Sequence, residues 1–175
     1  HGRVCERESQ EVFPTGLFGI NAVGLGSCGA NLAVGTLVVA AKPVAPTYGL
    51  LTHWEVDGCS VMELHMLLLR PSSDMTMTVM SRTIMSGNGG TSIVDPPVRV
   101  HPGDRVGFWV QSAGTVASVA SLGASWSFDC ADLDLGNFVT LSTPVDLDYQ
   151  FRALVSPSPQ TSVMGRVRTT GTVTP

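Results

Sequence analysis

A chain of 175 residues that is 43% hydrophobic and carries a formal charge of −4 can bury one sizeable core and is too apolar for a disordered polymer. Nine of its ten basic residues are arginine, and only Arg166 and Arg168 stand close together, so no basic stripe for nucleic acid is expected. The most apolar run, Leu32 to Ala41, is broken by Gly35 and stopped by Lys42 and Pro43, short of the ~18 apolar residues that argue for a membrane span.

Helix signals are nearly absent. Residues 1–31 are expected to be irregular, punctuated by Gly16, Gly19, Gly24, Gly26 and Gly29. No Lys-Ser/Thr follows these glycines, so they do not make a phosphate-binding loop. Residues 32–155 form the predicted domain. Leu32 to Ala40 is apolar on both faces and is expected to be a central strand, ended by Pro43 and Pro46. In Leu50 to Asp57, Leu50, Thr52, Trp54 and Val56 share one face. In Val61 to Arg70, Met62, Leu64, Met66 and Leu68 point inward, with Glu63 and His65 outward. Pro71 to Asp74 predicts a turn, Met75 to Met85 a further strand, and Gly87 to Gly90 a loop. The methionines in this region fill the core rather than bind copper.

Val98 to Gln111 reads as a hairpin around the turn His101-Pro102-Gly103-Asp104, with Val106, Phe108 and Val110 on one face. Thr115 to Val119, Ala124 to Cys130, Asn137 to Leu141 and Leu147 to Val155 complete the strands. In the last, Leu147, Tyr149, Phe151, Ala153 and Val155 form one apolar face. About nine or ten short strands with turns between them predict an all-β fold, an antiparallel β-sandwich that is jelly-roll-like.

Residues 156–160, beginning Ser156-Pro157-Ser158-Pro159, read as a stiff linker that closes the domain. Residues 161–175 then return to alternation. Val163, Gly165, Val167, Thr169, Gly171 and Val173 make a small apolar face, and Arg166, Arg168, Thr170 and Thr172 lie on the other. This extra C-terminal strand either returns to its own sheet or completes the sheet of a neighbouring copy, and donation is the preferred reading. The glycines suit close approach to a second backbone. No N-x-[ST] sequon occurs, so any glycosylation is expected to be O-linked, with Ser156, Ser158, Thr161, Thr169, Thr170 and Thr172 as candidates.

Cys5, Cys28, Cys59 and Cys130 include no C-x-x-C pair, which argues against zinc or a thioredoxin-like motif. Two disulfides in an oxidising, extracellular compartment are expected. Of the three pairings, Cys5–Cys28 with Cys59–Cys130 is preferred, the first stapling the N-terminal segment. His1 reads as a mature N-terminus after signal removal or as the first ordered residue.

Four blocks carry a family resemblance: Gly49-Leu50-Leu51-Thr52-His53-Trp54, Leu67-Leu68-Leu69-Arg70-Pro71, Val98 to Phe108 around Pro102-Gly103-Asp104, and Tyr149 to Val155. Together they resemble a widespread, mostly uncharacterised extracellular β-sandwich domain of bacterial and some eukaryotic surface proteins. The resemblance covers roughly 45–155. It implies a fold and a cell-exterior setting, and it implies no catalytic residues. The cysteines, the Gly-rich start and the C-terminal strand depart from the pattern.

Three chemistries compete. A Trp109 on the outer face beside Tyr48 would stack on a sugar ring and make a carbohydrate-binding module. A free His1 amine and imidazole would chelate copper with His53, His65 or His101, near Tyr48 or Tyr149, as in lytic polysaccharide monooxygenases, although only His1-Gly2 resembles those enzymes. Asp129, Asp132, Asp134 and Asn137 offer oxygen ligands for Ca²⁺ at a spacing unlike an EF-hand. No G-x-S-x-G occurs. The leading expectation is a non-enzymatic, secreted, disulfide-bonded protein that polymerises with itself into a filament or sheath, without a cofactor. Polysaccharide is the second expected partner.

Overall fold

The computed structural model describes residues 18–21, 23–24, 26–29, 31–42, 44–73 and 75–157. Among them are ten strands and no helix: β1 (Phe18–Ile20), β2 (Ser27–Cys28), β3 (Thr36–Ala40), β4 (Gly49–Ser73), β5 (Thr76–Val100), β6 (Arg105–Val110), β7 (Ala117–Asp129), β8 (Phe138–Thr140), β9 (Pro144–Tyr149) and β10 (Phe151–Pro157). All pairings are antiparallel and the sheet does not close. The expected all-β, sandwich-like architecture is what the chain adopts. The expected strand 161–175 lies outside the described residues.

The long hairpin β4–β5 makes the sandwich. Its register breaks between the pairs Asp57↔Gly89 and Met62↔Gly87. There residues 58–61 of β4 face the single β5 residue Asn88, and such a bulge bends both strands. Glycine permits the bend: a Cβ on Gly89 would meet the Gly58 nitrogen and the Val56 oxygen, each at 2.5 Å. Residues 87–90, expected to be a loop, are therefore a corner inside a continuous strand. On one side of it, the first arm orders β1, β10, β4 and β5; on the other, the second arm orders β8, β5, β4, β6, β3 and β7.

The main core lies between the arms. Val38, Leu64, Met66, Leu68, Val106, Phe108 and Val110 meet Trp54, Val56, Phe151, Ala153 and Val155. Phe108 packs edge-on against Phe151 at 5.1 Å and Tyr149 at 5.6 Å. The opposite face of the second arm is also covered, as the two-sided apolarity of β3 predicts. Leu37, Val39, Leu67, Leu69 and Trp109 form a smaller core with Met77, Val79, Leu133, Val139 and Leu141. Each such aliphatic or aromatic side chain contributes roughly 1.5–3 kcal/mol when fully buried.

Several expectations require correction. Val98 to Gln111 is not a hairpin: β5 and β6 do not pair, and the turn between them carries the chain from one arm to the other. The inward residues of early β4 are Leu51, Trp54 and Val56, because Thr52 is an extra residue against β10, between the pairs Leu51↔Val155 and His53↔Leu154, and shifts the alternation. Ser156 and Pro157 are not linker but the end of β10, opposite Leu50 and Gly49. Within 1–31, β1 pairs with β10 and β2 with β7.

The cysteine pairing is Cys28–Cys59, with Cα atoms 5.8 Å apart. This replaces both Cys5–Cys28 and Cys59–Cys130. Cys28 is opposite Ala117, and Gly58 bridges Val116. The two cysteines thus flank the start of β7 from either side. Cys130 is not in a disulfide, and Cys5 lies outside the described residues.

Candidate functional site

The most unusual feature of this fold is the outer edge of β5. β8 covers it at Thr76, Met77 and Thr78. At Val79 the amide donates to the Asn137 carbonyl (3.0 Å), and the Val79 carbonyl accepts from the Gly136 amide (2.8 Å). From Met80 onward no described strand lies on that side. Further along, residues 94–97 bulge out opposite Thr52. Pro96 and Pro97 lack N–H donors and blunt the edge there. The stretch with no described strand beside it is 80–86; it begins at a bulge at Met80, between the pairs Leu69↔Val79 and Leu68↔Ser81, and is regular from Ser81 on.

Because β5 bends at its glycine corner, its two halves line one groove of about 510 Å³. Met80, Arg82 and Ile84 line it from one arm, Ile93, Asp95 and Val98 from the other, and Leu135 reaches it from the loop before β8. Ile84, Ile93 and Leu135 are 59%, 70% and 60% exposed. Arg82 pins that loop by donating to the Leu133 carbonyl at 2.9 Å and pairing with Asp134 at 3.3 Å. An edge whose backbone donors and acceptors meet no described strand, beside a groove with exposed apolar side chains, is equipped to add an extended chain as a strand.

The sequence-derived sites fare unevenly. Trp109 does not face solvent: it is 8% exposed, belongs to the smaller core, and donates its indole N–H to the Cys130 carbonyl at 2.9 Å. Its alternation with Phe108 was legible; the cover over the second face, supplied by residues 133–141, was not. The expected sugar-stacking ring is therefore a core residue. Tyr48 is 44% exposed and tilts against His101 at 5.2 Å.

The histidines do not gather. His53 Nδ1 is 2.9 Å from the Thr52 hydroxyl, and His65 lies edge-on to Trp109. His1 is outside the described residues. Asp129, Asp132 and Asp134 are exposed, and Asp134 is engaged with Arg82. Among the described residues no group of three or more His, Cys, Asp or Glu side chains is arranged for a metal. The Cys130 thiol contacts the Asp132 carbonyl at 3.5 Å, and burial pushes its pKa up, away from the thiolate form that reacts. Burial likewise raises the pKa of Tyr149.

Val163, Gly165, Val167, Thr169, Gly171 and Val173, with Ser158, Thr161, Thr170 and Thr172, lie outside the described residues. The open edge of β5 was missed. The signal for it was Pro96-Pro97 inside a strand-like run, which demotes a strand to an edge. Comparison with family models, curated proteins and solved structures finds no match to this chain.

Proposed function

We propose that this is a non-enzymatic structural protein of the cell exterior that assembles with copies of itself into a filament or sheath. Each copy passes segment 161–174 to an open sheet edge of the next. The observation that carries the reading is the long edge of β5 that no described strand covers beyond Val79, in a chain that also holds an alternating segment past its last described strand. A donated strand makes a head-to-tail contact, and such contacts propagate into filaments unless the ring closes. The Cys28–Cys59 disulfide supports an oxidising compartment.

The test is negative-stain electron microscopy with sedimentation of the full chain, of the full chain carrying Val163→Asp with Val167→Asp, and of a chain shortened to end at Pro157, which keeps β10 whole. Polymers from the first and monomers from the other two are expected. Polymers from all three would remove the segment from assembly.

A further inference from the structure

We infer that the acceptor for the donated segment is the groove at the β5 edge between Ile84 and Ile93, and that its occupant is residues 161–174 of a second copy. The inference rests on the assembly reading above and adds to it which open edge is used.

The other edges offer less. β1 and β8 are three residues long and β2 is two, too short to hold a strand of the usual five or six. β9 starts at Pro144 and has no exposed large hydrophobic side chain. Among the described strands, β5 alone combines an unpaired stretch, regular from Ser81 to Ser86, with exposed Met80, Ile84 and Ile93 beside it.

The segment's sequence suits an apolar edge. Its alternating face sets valine beside glycine and threonine, so that, extended, it would present branched apolar side chains spaced by small ones. Charge favours association between copies, not this groove in particular. Residues 158–175 carry Arg166 and Arg168 and no acidic residue, a formal +2. Residues 1–157 carry the other eight basic and all fourteen acidic residues, hence 8 − 14 = −6, while the groove itself is lined by one charge of each sign, Arg82 and Asp95.

Reach selects the neighbour over the same copy. Pro157 pairs with Gly49, which pairs with Val100. Three strand spacings of ~4.8 Å therefore separate Pro157 from the outer side of β5. Four residue steps to Thr161 span at most ~14 Å when fully taut. That path has no slack for crossing two strands, and the stretch 80–86 lies farther still, around the corner on the second arm. A second copy approaches the groove without that constraint.

The experiment uses full-length variants. Ile84→Arg and Ile93→Arg alter side chains that are already exposed. Leu122→Arg, at a position 91% exposed, removes an apolar side chain elsewhere. The two groove variants are expected to raise the concentration for half-assembly by about tenfold or more, the effect of losing one apolar anchor, while Leu122→Arg leaves it unchanged. A chain with both groove substitutions keeps its donor, and a chain with Val163→Asp and Val167→Asp keeps its acceptor. Each should be monomeric alone, and their mixture should give one-to-one heterodimers. Groove variants that polymerise like the parent would overturn the groove as acceptor while leaving strand donation standing. A monomeric parent whose segment 161–174 becomes protease-sensitive only in the groove variants would mean that each copy fills its own groove, which overturns both readings.

Discussion

Arg70 grips Asp104 with two teeth. Its Nε donates to one carboxylate oxygen at 2.9 Å and its Nη2 to the other at 3.0 Å, and Asp104 is fully buried. The same carboxylate accepts the His101 amide at 2.8 Å, and Arg70 Nη2 reaches the Arg99 carbonyl at 3.4 Å. One guanidinium at the end of β4 thus holds both ends of the turn by which the chain passes from the first arm to the second. The Asp of Pro102-Gly103-Asp104 is there to lock a crossover, beyond its value as a turn former.

Asp104→Ala should therefore destabilise the fold by about 3 kcal/mol, because breaking a buried pair leaves a charge and donors unmatched. Arg70→Ala should cost a similar amount, and the double variant little more than either, since each single change already removes the shared interaction. Urea unfolding of the three variants measures this. A loss below about 1 kcal/mol for Asp104→Ala would mean the crossover is held by packing alone.

Period-two alternation revealed which way most side chains point. It picked out Leu64, Met66 and Leu68, and Tyr149, Phe151, Ala153 and Val155, as core faces. It could not reveal which strand lies beside which. Val98 to Gln111 looks like a hairpin because both halves alternate and a good turn joins them, yet β5 pairs with β4 and β6 with β3 and β4. Pairing is a long-range property, and so is the Cys28–Cys59 bond, which depends on both residues flanking β7. Bulges are the second blind spot. The one near Thr52 moves Leu51 inward in place of Leu50, since a single extra residue exchanges the two faces. The candidate site was half legible: the alternation of 161–174 is local, whereas the β5 edge is defined by having no described neighbour.

His65 makes stability depend on pH. Its side chain is 12% exposed. Burial first, and then the charge of Arg82, lower its pKa below 6.5, against a smaller opposing pull from Glu63. At pH above 6.5 folded and unfolded chains both hold a neutral imidazole, and His65 adds no pH dependence. As pH falls below 6.5 the unfolded chain takes up the proton first, so stability declines until the folded imidazole also titrates. The urea midpoint should therefore drop between pH 6.5 and 5, and His65→Gln should flatten that drop. Arg82→Gln, which removes one of the lowering influences, should shrink it. An unchanged slope in His65→Gln would assign the acid sensitivity to other groups.

The corner of the β4–β5 hairpin separates two effects of glycine. Gly87 has φ of +124° and no atom within 4 Å of where a Cβ would sit. Gly87→Ala therefore meets backbone strain alone, about 1–3 kcal/mol. Gly89 has φ of +100° and would in addition drive its Cβ against the backbone of Val56 and Gly58 at 2.5 Å, atoms that move only if the arms open. Gly89→Ala should cost clearly more than Gly87→Ala in urea unfolding. Because the groove lies between the same two arms, Gly89→Ala should also weaken assembly under conditions where Gly87→Ala, still folded, assembles normally. Equal behaviour of the two variants in both measurements would mean that the angle between the arms is set elsewhere, by the main core rather than by the bulge at Gly58.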